Sequence, residues 1–213
     1  SGSAAELDGL RAACDIAVRR ALGDAPQRVV VLGAGAQTRE LGSGTGSLRG
    51  FGIELDVPLD PALHGVASLP LSLTIGAWLL GRVGWPGDRA AIERDAAAAL
   101  DELDEVAAPL AADPTRTALL VVADGSASRT DKAPASLHPD AEAFDREVAD
   151  ALGSGDPALL AAVDRERAAV VSSAGWPAWH VAARAAEGTA YAAELHADEA
   201  PDGVGYLAAS WIR

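Results

Sequence analysis

Leu119-Leu120-Val121-Val122-Ala123-Asp124-Gly125-Ser126-Ala127-Ser128-Arg129-Thr130-Asp131-Lys132-Ala133-Pro134 decides the fold. An uncharged apolar run gives way at once to small, polar and charged residues. That is how a buried parallel strand delivers a loop to the carboxyl edge of a sheet, where open α/β sheets bind ligands. The loop also holds Lys132, the only lysine of the chain, close to Arg129.

Upstream, Arg28 to Leu32 is a short β-branched run between Pro26 and Gly33, so a second buried parallel strand is expected. Leu69 to Val83 is apolar around most of its circumference and reads as a central helix packed on the sheet. The alanine-rich, acidic stretch Ala90 to Ala112 reads as mostly helical and half-exposed. Gly42 to Gly50 reads as an exposed loop, and Phe51 to Val57 as a strand closed by Pro58. Ser3 and Glu6 have capping-box spacing ahead of the helical pattern Leu7, Leu10, Ala13, Cys14, Val18, Leu22.

Beyond the decisive loop, Pro139 to Leu152 and Ala158 to Ser173 read as two helices split at Gly153–Pro157. Asp156 suits the cap there and Pro157 the first helical position. Trp176 to Ala186 is a further helix. Tyr191 to His196 and Val204 to Trp211 alternate about a Pro201-Asp202-Gly203 turn, hence a C-terminal hairpin. The expectation is one α/β domain of three layers, with a mostly parallel sheet flanked by helices and a C-terminal antiparallel hairpin.

The chain has 213 residues, 49% hydrophobic, with Lys+Arg 17 against Asp+Glu 31 and a net charge of −14. That length holds a full core. The charge argues against nucleic acid or an anionic membrane as partner. A single cysteine, Cys14, excludes an internal disulfide and fits a reducing compartment. Leu69 to Leu80 is too short and interrupted to span a bilayer. No signal peptide is evident, so a cytoplasmic protein is expected. There is no methionine, and the natural start is expected to lie elsewhere or to have been processed.

Gly33-Ala34-Gly35-Ala36-Gln37-Thr38 after a strand invites a dinucleotide reading, with Glu54 as the ribose acid. The mechanism needs a helix N-terminus aimed at the pyrophosphate. Arg39-Glu40-Leu41 and a Gly/Ser loop follow instead, so a tight turn lining a cleft is the better reading, and an NAD(P) enzyme a distant alternative. The histidines His64, His138, His180 and His196 show no one-turn pair and no zinc spacing. Ser126 has no activating histidine nearby in sequence. Trp176 and Trp179 share a helical face that could wall a pocket. The candidate cleft is therefore lined by Gly33, Gln37, Thr38, Asp124, Ser126, Arg129 and Lys132. Arg129 and Lys132 there could hold a small anionic ligand.

Three stretches carry a family resemblance: Leu69 to Leu80, the Asp124–Pro134 loop with the Phe144-Asp145 helix after it, and Gly203 to Trp211. Together they resemble the LigB-type class III extradiol ring-cleavage dioxygenases and their Memo-like relatives, closest to an actinobacterial-type LigB-like group. The likeness runs from the Arg28–Leu32 strand to the end. It implies a family opening strand ahead of this chain's start.

It also implies a ferrous iron held by two histidines and a glutamate, with a further histidine as acid/base. The corresponding positions carry Ala34, Ala36 and Gln37; Ala127 or Ser128; and Ser172, Ser173 and Ala174. No catalytic or metal residue carries over. The expectation is a family fold without the metal centre, whose cleft binds a small anionic or aromatic ligand or a protein partner. Oligomerisation stays open. The alternative is an active iron dioxygenase on a catechol-type aromatic, with ligands drawn from His64, His138 or His196 with Asp124.

Overall fold

In the computed structural model of the chain, residues 7–63 and 65–213 are described. The Ser3–Glu6 cap and His64 lie outside them. The elements run α1 (Asp8–Gly23), β1 (Arg28–Gly35), β2 (Arg39–Leu41), β3 (Thr45–Ser47), β4 (Asp56–Pro58), α2 (Leu71–Arg82), β5 (Asp88–Asp95) and α3 (Leu100–Ala112). Then come β6 (Thr117–Val122), α4 (Ala141–Ser154), α5 (Pro157–Ala161), α6 (Arg165–Val170), α7 (Trp176–Ala185), β7 (Ala192–Glu199) and β8 (Tyr206–Ile212).

The central sheet has the order β2-β5-β1-β6. β1 pairs in parallel with β5 and with β6, and β2 closes one edge antiparallel to β5. Side chains alternate across β1, as the pleat requires. Val29 and Val31 join Leu73, Ala77 and Leu80 of α2 and Val18 of α1 on one face. Val30 and Leu32 join Leu103 of α3, Phe144 of α4 and Trp179 of α7 on the other. The result is three layers with a mostly parallel sheet between helices.

Two readings are corrected. Ala90–Ala112 is not one helix: it divides into the end of β5, a turn, and α3. The Asp-Arg-Ala-Ala-Ile-Glu-Arg-Asp run of β5 looks helical because its charges suggest solvent. In the fold Arg89, Glu93 and Arg94 are all buried, and pairing with β1 outweighs alanine's helix preference. Ala158–Ser173 is likewise two helices, because Asp164 starts α6 by accepting from the Arg167 amide at 2.8 Å. Asp156 caps α5 in the expected way, with Pro157 next.

Two smaller corrections concern residues 42–58. Within Gly42–Gly50, Thr45–Ser47 forms a short strand. Its partner is Asp56–Pro58, whereas Phe51 ends a single 3-10 turn, Arg49–Phe51. The hairpin is present as β7–β8, with an irregularity at His196. No helix among the described residues is long and apolar enough to cross a membrane.

Candidate binding crevice at the carboxyl end of the sheet

The chain leaves β1 for β5 on one side and later enters β6 on the other. The crossovers pass through α2 and α3, which pack on opposite faces of the sheet. The strand order therefore reverses between β1 and β6, and the carboxyl ends of those two strands are where open α/β sheets place their binding crevice. Gly33 pairs with Val122 at this point, and Asp124 follows two residues later.

At β1 the opening is plugged by packed side chains. A Cβ at Gly33 would lie 2.5 Å from Ser72 Oγ, and one at Gly35 would lie 2.1 Å from Glu93 Oε1. Ser72 donates to the Ala34 carbonyl at 2.6 Å. Glu93, 2% exposed, accepts from the Gln37 amide at 3.1 Å and from Arg39 Nε at 2.6 Å. The glycines exist to admit Ser72 and Glu93, not a pyrophosphate. No helix follows them but β2, and Glu54 is exposed and paired with Arg49. The dinucleotide alternative thus lacks both its helix and its acid.

Beyond the end of β6, Asp124 is exposed. Asp124 keeps solvent access, yet burial raises its carboxyl above the ordinary carboxylate range. Among the described residues its side chain has no hydrogen-bond or ion-pair partner. Its backbone is held by Ser173, whose Oγ donates to the Asp124 carbonyl at 2.7 Å. Gly175 approaches so closely that a Cβ there would lie 2.4 Å from the Asp124 nitrogen. Ser172 beside them has φ 57°, a left-handed value uncommon for serine. Tyr206, at the start of β8, has its phenol pushed up by burial and then by the nearby charges of Asp202 and Asp124. Asp124 and Tyr206 thus belong to one electrostatic neighbourhood.

The remaining candidates divide. Gln37 and Thr38 lie on the exposed turn over β5, where Thr38 Oγ1 accepts from the Asp95 amide at 3.5 Å. Ser126 is fully buried. Its amide and hydroxyl both donate to Asp145, at 2.7 and 2.6 Å, and Asp145 is 1% exposed. Arg129 Nη1 lies 3.6 Å from the same carboxylate. Ser126 and Arg129 are therefore committed to one internal network. Arg129 is paired with Asp145 and stays partly exposed. Gly203 and Gly205 let the β7–β8 turn close over this loop, with bonds from the Arg129 amide to the Gly203 carbonyl (3.0 Å) and from the Gly205 amide to the Ser126 carbonyl (2.8 Å). Lys132 is exposed, and among the described residues its ammonium has no ion pair.

The three described histidines each make one side-chain hydrogen bond within the fold. His138 Nδ1 accepts from the Asp140 amide at 3.2 Å. His180 bonds Asp104 at 2.9 Å and stacks on Trp176. His196 shares a 2.9 Å hydrogen bond with the Ser210 hydroxyl inside the hairpin. The described residues contain no group of three or more His, Cys, Asp or Glu that could hold a metal ion. Trp176 and Trp179 are core residues rather than pocket walls: the Trp176 indole donates to the Val163 carbonyl, and Trp179 packs by Phe144.

Two cavities lie away from the crevice and are lined by none of the seven candidates. One, of about 280 Å³ under α3, has Arg28 and Asp113 at its wall, already paired with each other. The other, of about 270 Å³ between β4 and α2, is almost wholly apolar around Val57, Ala77 and Trp78. Neither presents an uncommitted polar group as Asp124 does.

Sequence reading misses Asp145, Glu93 and Tyr206. Asp145 stands beside Phe144 with no partner visible nearby, and Glu93 lies in β5, which reads as helix. Compared with family models and with curated proteins, the chain matches none of either.

Proposed function

We propose that this chain is a LigB-type extradiol dioxygenase-like scaffold that binds a small phenolic ligand without iron, at the crevice between the carboxyl ends of β1 and β6. The observation that carries the proposal is Asp124: an exposed carboxyl without a side-chain partner among the described residues, just after β6 at the switch point of the sheet, its proton held more tightly by nearby protein and the Tyr206 phenol within electrostatic reach. Such a group accepts a hydrogen bond from a ligand hydroxyl, and the partly dry surroundings strengthen that bond. An anionic ligand would meet Asp124 and Asp202, with Arg129 already committed to Asp145. A phenol fits the charge pattern better.

The donor set does not suit ferrous iron. The positions that the family resemblance assigns to ligands carry alanine, glutamine and serine. Two of those serines turn away to backbone: Ser128 Oγ donates to the Val171 carbonyl and Ser173 Oγ to that of Asp124. Iron of this class needs imidazole and carboxylate donors around open positions. Binding, not ring cleavage, is the chemistry these residues support. The acidic composition and lone thiol fit a reducing cytoplasm, with neither nucleic acid nor membrane as partner.

Titration with catechol, followed by backbone amide NMR shifts, tests the proposal. Shifts should concentrate at Gly33–Gly35, Ala123–Ser126 and Tyr206, and Asp124→Ala should weaken binding about tenfold, the worth of one hydrogen bond to a charged group. Shifts confined to the cavity under α3, or binding indifferent to Asp124→Ala, would refute it.

A further inference from the structure

The cavity between β4 and α2 has a volume of about 270 Å³, at the small end for ligand pockets. Its wall is mostly apolar, built from Leu55, Val57, Pro58, Pro61, Ala77 and Trp78. Three charged side chains also reach it: Asp56, Arg82 and Arg89. Two of them are neutralised by neighbours. Asp56 pairs with Arg49 at 3.0 Å, and Arg82 pairs with Asp15 at 2.6 Å while its guanidinium covers the Trp78 ring.

Arg89 is the exception. It lies in β5 opposite Val29 of β1, on the α2 face of the sheet, and is 9% exposed. Its two hydrogen bonds go to backbone carbonyls, from Nη1 to Leu59 at 3.2 Å and from Nη2 to Trp85 at 2.5 Å. Among the described residues no carboxylate pairs with it, and Asp60 acts on it only from a distance; burial pushes its pKa below the usual guanidinium value. The other buried arginine, Arg94, has the Glu40 carboxylate at 3.8 Å. The carbonyls fix the Arg89 guanidinium in position without neutralising it, and a buried charge is costly until an opposite charge meets it.

We infer that this cavity binds a small, mostly apolar monocarboxylate, its carboxylate paired with Arg89 and its hydrocarbon part held between β4 and α2. A guanidinium is a planar fork of five donors, which suits the two oxygens of a carboxylate even with two bonds already made. The apolar walls favour a hydrocarbon body and strengthen the ion pair beside it. An alkylamine would meet Arg89 with like charge, since Arg49 already pairs with Asp56. Arg89 lies near the amino end of the parallel strands and Asp124 beyond their carboxyl end, so this site and the phenol crevice are at opposite ends of the sheet.

Hexanoate and hexylamine, titrated separately into the intact polypeptide and followed by backbone amide NMR shifts, test this. Hexanoate should shift the Val57, Ala77 and Arg89 amides saturably, and hexylamine should bind at least about tenfold more weakly. Arg89→Gln keeps a donor but removes the charge, and should weaken hexanoate binding about tenfold or more, the worth of hydrogen bonds to a charged group. Gly81→Leu is a second variant, which leaves Arg89 intact. Gly81 lines the cavity from α2, and a Cβ there would meet nothing within 4 Å, so the helix should accept leucine while the side chain fills the space. Hexanoate shifts should then disappear from a folded protein. Absence of saturable hexanoate shifts in the wild type would overturn the inference. So would hexylamine binding as tightly, shifts confined to the crevice near Asp124, or unchanged hexanoate affinity in either folded variant.

Discussion

β1 and β6 are adjacent, parallel and built from almost the same residues, yet the fold treats them differently. Val29 to Leu32 of β1 are at most 2% exposed, because a strand lies on each side and helices on each face. Every residue of β6 is half-exposed, because only one side has a neighbour. Their ends differ in the same sense. Gly33 and Gly35 admit Ser72 and Glu93, which close the end of β1, while β6 runs out to an exposed Asp124 whose side chain has no partner among the described residues. Hydrophobicity alone does not make a strand central. Covered edges do, and the uncovered strand is where the fold leaves room for binding.

The largest effect expected within this contrast is at the network that shapes the β6 loop. Asp145→Ala should cost about 3–5 kcal/mol in chemical denaturation, since it strands the buried Ser126 hydroxyl and the half-buried Arg129. A cost below about 1 kcal/mol would mean that the loop is held by its backbone bonds alone. Next, Leu32→Ala in β1 should cost about 2–5 kcal/mol, and Leu120→Ala in β6 clearly less, since less apolar surface is lost and water can fill the gap. Equal costs would break the comparison.

Gly35→Ala should destabilise by a further one to three kcal/mol, roughly the cost of overpacking, because the new methyl meets the Glu93 carboxylate. Gly42→Ala, with open space at its Cβ position, is the control.

The smallest effect is a matter of pH. The raised carboxyl of Asp124 binds its proton more tightly folded than unfolded, so its ionisation opposes folding as pH rises through the raised value. Asp124→Asn should therefore stabilise at pH 7, by no more than about 1 kcal/mol because solvent still reaches the group. The gain should vanish below the ordinary carboxylate range, where the wild-type group is protonated in both states. A gain that persists at low pH would point to packing rather than charge.

Much of this is legible in the residues. β1, β6, α2 and the hairpin follow from runs and alternation, and the rule that α/β sheets bind at strand ends leads to Gly33 and Asp124. β5 is hidden because Arg89, Glu93 and Arg94 look like surface residues until the backbone or a partner answers them, as Arg39 answers Glu93. Ser126 and Arg129 look free for the same reason. Their partner Asp145 is brought over them by the packing of α4, which no local pattern encodes. What stays illegible is long-range pairing of charge.

Iron content tests the central claim most directly: the intact polypeptide is reconstituted anaerobically with Fe(II), desalted and assayed for bound metal. Background-level iron, with catechol still perturbing the crevice amides, is the expected result. Near-stoichiometric iron would contradict the account and make catechol turnover under oxygen the activity to measure.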